Sequence, residues 1–199
     1  MAAELELKME IAPQASSDFI KLMSAKGWEP NSSLMLANCY YDTPQQALKQ
    51  ARIALRVRRI GNQWIQTLKT AGQVDANGIS TRGEWEWELP SSELNPELAR
   101  EQLPAQIDPA ELKPLFTTDF KRIAWFIEYQ GALIEVALDQ GEIFAAPKRV
   151  PISEVELELK SGDISGLLAL AELLKSEIDL KVSTVSKAER AQRLLEGSV

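Results

Sequence analysis

From Glu4 to Ile11 the chain alternates a charged residue with an apolar one, without a break. Side chains along a β-strand point to opposite faces in turn. The run therefore predicts a strand with Glu4, Glu6, Lys8 and Glu10 on one face and Leu5, Leu7, Met9 and Ile11 on the other. The same period returns four times. Arg52, Arg56 and Arg58 oppose Ile53, Leu55 and Val57; Arg82, Glu84, Glu86 and Glu88 oppose Trp85, Trp87 and Leu89. Glu135 and Asp139 oppose Ile134, Val136 and Leu138; Glu154, Glu156, Glu158 and Lys160 oppose Val155, Leu157 and Leu159. A chain of such strands buries its apolar faces and must put the charged ones either in solvent or in a shared interior.

Solvent is the simpler choice, as in many antiparallel sheets. Two features favour the interior. The signs are sorted by strand, with carboxylates toward both ends of the sequence and arginines between, whereas a merely soluble face mixes signs. Apolar helices are also available to cover an outer face: one after Pro13 with Phe19, Leu22 and Met23 on one side, another over Ile164–Ile178 rich in leucine. Further strands are predicted at Leu34–Tyr41, Ile53–Ile60, Gln63–Lys69, Thr81–Leu89, Thr118–Glu128, Leu133–Asp139, Gly141–Ala145 and Pro151–Lys160. Gly61-Asn62 closes a hairpin. A short helix is expected over Gln45–Ala51. Ala71–Ser80 reads as a loop and Pro90–Pro114 as an irregular excursion. Ser186 caps a final helix that ends near Leu195. The fold class is α+β: a closed antiparallel β-barrel of about eight strands with a charged lumen and helices packed outside. The 199 residues fit one domain, 1–199.

Composition narrows the chemistry. Histidine is absent, so Ser-His-Asp and Cys-His catalysis, imidazole bases and His-based zinc sites are excluded. One cysteine, Cys39, permits no intramolecular disulfide, and no apolar run reaches the length of a membrane helix. With no signal peptide at the N-terminus, a cytoplasmic address is expected. The net charge of −7 argues against nonspecific nucleic-acid binding. What remains is chemistry on carboxylates, Lys, Arg and oxygen-loving metals. Buried charges must be paired or metal-bound. Glu4 with Glu6, and Glu154 with Glu156, could hold one or two hard cations. The facing Arg56, Arg58, Lys69 and Arg122 could clamp phosphate oxygens. Acid on one wall and base on the other suits a metal–polyphosphate chelate.

Glu4-Leu5-Glu6-Leu7-Lys8 resembles the E-x-E-x-K signature of the CYTH superfamily, the triphosphate tunnel metalloenzymes. The resemblance continues in order through Tyr40-Tyr41-Asp42-Thr43, Leu55-Arg56-Val57-Arg58, Thr67-Leu68-Lys69 and Arg82-Gly83-Glu84-Trp85-Glu86. It then takes in Ile134-Glu135-Val136-Ala137-Leu138-Asp139, Glu154-Val155-Glu156-Leu157-Glu158-Leu159 and Ser186-Lys187. Thr117-Thr118-Asp119-Phe120 and Ala137-Leu138-Asp139-Gln140-Gly141-Glu142 are most similar to the CYTH domain of bacterial inorganic triphosphatases. The resemblance implies Mg²⁺-dependent hydrolysis of triphosphate, with Mn²⁺ as a substitute metal. It implies Glu4, Glu6, Asp139, Glu154, Glu156 and Glu158 as metal ligands. Lys8, Arg56, Arg58, Lys69, Arg82, Arg122 and Lys187 are implied as phosphate ligands, and Glu4, Glu6 and Lys8 as the groups nearest catalysis. Residues 186–195 are expected to close the tunnel. Tyr40 and Tyr41 are read as core packing; Trp85, Trp87 and Trp125 as shell packing. Lys121, on the face opposite Arg122, is left out of the site; Arg190 is divided evenly between a site role and a solvated helix face. Class IV adenylate cyclase and thiamine or nucleoside triphosphatase are alternatives on the same fold. A non-catalytic polyphosphate-binding module is more remote. A CHAD domain often follows the CYTH domain in those triphosphatases, so a longer parent chain is compatible with the resemblance.

Overall fold

The alternation is realised as a closed antiparallel barrel. The structure is a computed structural model that describes residues 2–197. Its strands are β1 (Ala2–Ile11), β2 (Ser32–Asp42), β3 (Ala54–Ile60), β4 (Gln63–Lys69), β5 (Gln73–Val74), β6 (Ile79–Leu89), β7 (Lys113–Tyr129), β8 (Ala132–Ala145), β9 (Lys148–Ser161) and β10 (Leu180–Val182). The helices are α1 (Ser16–Ala25), α2 (Ala47–Gln50), α3 (Ile164–Glu177) and α4 (Lys187–Glu196). The order around the barrel is β1-β9-β8-β7-β2-β3-β4-β6, and β6 pairs back to β1 from Ala2↔Glu84 to Leu7↔Ile79, which closes it. β5 and β10 are short additions on β6 and β1.

Helices cover the outer wall. Leu7, Met9, Val136, Leu138, Val155 and Leu157 pack with Phe19 and Met23 of α1 and with Leu167, Leu170 and Leu174 of α3. Each such side chain contributes roughly 1.5–3 kcal/mol on burial. Phe19 is fully buried against Trp125, so Phe19→Ala should destabilise by about 3–5 kcal/mol. Around the barrel, Leu55, Leu68, Trp85 and Trp87 meet Leu48 of α2 and Ala99, Leu103 and Ile107. The proline-rich excursion thus serves as the outer cover where no long helix reaches.

The inner wall is divided. Toward the start of β7 and the end of β8, the inward residues turn apolar: Phe116, Phe120, Ile143, Ala145 and Ile152. Ala191 and Leu194 of α4 pack across them. The charged lumen of the sequence reading therefore occupies one part of the barrel, and α4 covers the other. Ser186 and Glu189 form a reciprocal capping box at the start of α4, and Gly197, at φ 74°, ends it.

Several boundaries differ from the sequence reading. The segments Leu133–Asp139 and Gly141–Ala145 are one strand, β8. Gly141 does not break it; a Cβ there would run into the Asp119 carbonyl and Phe120, so glycine lets β7 and β8 approach. β7 begins at Lys113, before the expected Thr118, and takes in Pro114 where its register with β2 shifts. Arg52 does not share the face of Arg56. It lies exposed in the turn after α2, with φ at 56°. Asp42 of the Tyr-Tyr-Asp-Thr motif is an anchor: its carboxylate accepts from the backbone N–H groups of Thr43, Leu48 and Lys49 at 2.7–3.0 Å and fixes α2.

Candidate active site

The inward face of β1 puts Glu4, Glu6 and Lys8 into a cavity of about 380 Å³. Arg56 and Arg58 of β3, Lys69 of β4, Arg82 and Glu84 of β6, Arg122 of β7, Glu156 and Glu158 of β9 and Lys187 of α4 line the same space. Asp139 and Glu154 sit beneath Lys187. Glu10, the last of the first strand's alternating charges, lies past the lumen, exposed and bonded to Ser183. Lys121 points outward and is exposed, as its register requires.

The carboxylates form two groups. In the first, Lys187 Nζ lies 2.6 Å from Asp139, 2.5 Å from Glu154 and 2.9 Å from Glu156. Arg122 grips Asp139 through Nε and Nη2, both at 2.7 Å, and also reaches Glu156. Arg190 adds a contact to Glu154 at 3.2 Å. Oxygens of Asp139, Glu154 and Glu156 lie within 4.8 Å of one another, close enough to share a cation. The Lys187 ammonium now fills that role. In the second group Glu4 accepts from Lys69 at 2.8 and 2.9 Å and from Arg82 Nε at 2.8 Å, and Arg82 also reaches Glu6 at 3.3 Å. Lys8 lies 3.2 Å from Glu6 and 3.9 Å from Glu156, so it links the groups. Glu158 shares Lys160 with Glu135. Among the described residues, the six candidate metal ligands thus do not meet at one point.

Electrostatics follow these contacts. Burial alone would raise the Glu4 carboxyl, but Lys69 and Arg82 outweigh it and hold the group down at about 2. Burial likewise opposes ionisation of Glu156, yet Lys187, Arg122 and Lys8 keep it well below the usual carboxylate range. For Glu154 burial wins, with Glu156 adding repulsion, and its value rises. Lys187 and Arg122 are both raised against burial by their carboxylates.

Arg56 and Arg58 stand apart. Among the described residues neither makes a salt bridge, although both are half-buried in the lumen wall. Arg58 donates from Nε to Asn38 Oδ1 at 2.7 Å. Among the described residues Arg56 reaches only the Tyr40 hydroxyl, at 3.5 Å, and its Nε is buried without a partner. Burial and the neighbouring Arg56 and Arg122 guanidiniums push Arg58 down, to about 9. Tyr40 and the more distant Glu84 and Glu86 carboxylates raise Arg56 against burial. A half-buried pair of guanidiniums with no carboxylate in direct contact offers its charge to an anion.

Two residues that contact the unmatched arginines escaped the sequence reading. Tyr40 does pack, stacked on Phe116 with ring centroids 4.6 Å apart, but its hydroxyl also faces the cavity. Asn38 had the right parity on β2 to face inward, two residues before Tyr40. A neutral residue in an apolar strand gave no reason to single it out. Trp85, Trp87 and Trp125 lie in the outer packing, as expected.

No helix among the described residues is long and apolar enough to cross a membrane. The family described as CYTH domain matches residues 2–191. An inorganic triphosphatase of Haemophilus influenzae is 38% identical over 200 residues, covering 98% of this chain and 55% of that protein. The chain therefore spans about half the length of that curated relative. Among solved structures, a Hippeastrum protein described as revealing a dominant triphosphatase activity superposes with a TM-score of 0.71 at 17% identity, over 98% of this chain and 97% of that one. A Pyrococcus horikoshii protein superposes with a TM-score of 0.63 at 21% identity, over 98% and 99% of the two chains. At such identities these structures speak for the fold alone.

Proposed function

The chain belongs to the CYTH domain family, and from that premise we propose that it hydrolyses inorganic triphosphate to diphosphate and phosphate within the barrel. The observation that supports this reading is the pair Arg56 and Arg58, two half-buried guanidiniums that, among the described residues, have no carboxylate partner in a lumen where the other cations are matched. Guanidinium forks fit phosphate oxygens two at a time. Eight cationic and seven carboxylate side chains line the cavity, which leaves it close to balance. A near-neutral guest, such as a metal–triphosphate chelate, suits it better than a bare polyanion. The 38% identity to an inorganic triphosphatase supports the same substrate.

The donor set fits a hard divalent cation, Mg²⁺ with Mn²⁺ as a substitute: carboxylate oxygens only, with no histidine in the chain. Asp139, Glu154 and Glu156 would hold it first, with Glu4, Glu6 and Glu158 available as the ion pairs rearrange. Bound there, the cation would neutralise phosphate charge and favour attack by water. The chain's own groups do the rest. Arg56 and Arg58 grip phosphate oxygens, with Lys8, Lys69, Arg82, Arg122 and Lys187 around them. Glu4 and Glu6 offer carboxylate lone pairs that orient a water in line with the terminal phosphorus. Stabilising charge on the equatorial and leaving oxygens supplies most of the acceleration. Residues 1–199 form one such domain in this reading, with α4 closing one end, and it works in the cytoplasm.

Phosphate release from triphosphate, ATP and thiamine triphosphate, each with Mg²⁺ and with excess EDTA, tests the reading. Triphosphate should be turned over fastest, and only with metal. Faster release from either organic triphosphate, or full activity in chelator, would overturn it.

A further inference from the structure

Between Ser32 and Tyr41 β2 carries no charged residue, yet it touches both unmatched arginines. Asn38 is 2% exposed. Its Nδ2 donates to the Thr118 carbonyl on β7 at 3.1 Å, and its Oδ1 accepts from Arg58 Nε at 2.7 Å. The first bond decides the second. With the amide anchored from behind, only the oxygen can face the guanidinium; turned round, the NH₂ would meet another donor. Three lumen arginines are held through Nε. Arg122 is held by Asp139 and Arg82 by Glu4, both carboxylates, whereas Arg58 is held by an amide. A carboxylate fixes a guanidinium and neutralises it; an amide only fixes it. The Nη nitrogens of Arg58 make no hydrogen bond among the described residues.

We propose that Asn38 is a positioning residue for phosphate recognition, a neutral acceptor that fixes the Arg58 guanidinium while leaving its charge for an incoming phosphate group. The inference rests on the triphosphatase reading and deepens it. An apolar residue at position 38 would let Arg58 swing toward Asp139, across the lumen wall. An acidic one would take the charge that phosphate needs. Tyr40 offers Arg56 the same kind of uncharged contact, though a longer one.

The test compares Asn38→Asp, Asn38→Ala and Arg58→Ala in the full chain. It reads kcat and KM for triphosphate with Mg²⁺, and the melting temperature without ligand. A buried carboxyl beside Arg58 ionises. Asn38→Asp should therefore raise KM about 10- to 100-fold while its melting temperature holds or rises, because an ion pair has been added. Asn38→Ala should raise KM about 2- to 10-fold. In an Arg58→Ala background, Asn38→Asp should add little, since the residue acts through Arg58. Unchanged KM in Asn38→Asp overturns the inference, as does an equal KM effect with and without Arg58. Either result leaves the triphosphatase reading intact if the wild type turns over triphosphate. A wild type that neither binds nor hydrolyses triphosphate sinks both.

Discussion

Lys187→Met removes the ammonium that sits 2.5–2.9 Å from three carboxylates and leaves α4 its apolar anchors, Ala191 and Leu194. Methionine has nearly the same length, so the loss is of charge rather than volume. Asp139 then keeps Arg122, Glu156 keeps Arg122 and the 3.9 Å contact with Lys8, and Glu154 keeps Arg190. Breaking a buried ion pair on one side costs about 3–5 kcal/mol. For a chain of this size that lowers the melting temperature by about 6–20 °C. A cation that takes the vacated place, at about 100 times its dissociation constant, returns about 2.7 kcal/mol. Thermal melts of wild type and variant, each in EDTA and in excess Mg²⁺, read both effects. The variant should melt far below wild type in EDTA and recover much of the difference in Mg²⁺. The wild type binds Mg²⁺ at the same triad only after the Lys187 ammonium is displaced, so its shift should be clearly smaller than the variant's. A variant within about 2 °C of wild type in EDTA, or an equal Mg²⁺ shift in both proteins, would refute the assignment of Asp139, Glu154 and Glu156 to a shared cation site.

Four further outcomes follow from the same geometry. Glu6→Gln should lower kcat and be partly rescued by extra Mg²⁺. Arg58→Ala should raise KM without rescue, and the losses should be about 30- to 1,000-fold; steady-state kinetics across a Mg²⁺ series separates them. Glu4 has a folded value of about 2 against an ordinary 4.5, so it stabilises the fold fully above pH 4.5 and loses that contribution as pH falls toward 2. Glu4→Gln should therefore lose up to about 3 kcal/mol at neutral pH, a deficit that vanishes near pH 2 in denaturant titrations. Ser186→Ala removes one half of the α4 capping box and should cost about 1 kcal/mol, seen as faster hydrogen exchange over Lys187–Glu196.

The barrel was legible because its signal is strict. Period-two alternation in β1, β6 and β9 fixed which side chains face inward, and closure follows once charges must face each other rather than a dry core. What escaped was non-periodic or neutral. β10 has three residues, too few to show a period. Gly141 reads as a break in any single sequence, and only the closeness of the β7 backbone explains it. The ion-pair partners were equally out of reach, because they depend on strand order. Glu4 meets Arg82 through the β1–β6 closure, and Arg122 meets Asp139 through β7–β8 register. Asn38 was hidden for a chemical reason. A residue that orients charge without carrying any leaves no trace in a charge pattern.

Hydrolysis at the unmatched arginines is tested most directly by phosphorus NMR of triphosphate incubated with Mg²⁺ and the full chain, beside the Arg56→Ala/Arg58→Ala double variant. Wild type should convert each triphosphate to one diphosphate and one phosphate, and the double variant should leave the triphosphate resonances nearly unchanged over the same time. Conversion by the double variant at the wild-type rate, or no diphosphate from the wild type, would contradict the assignment.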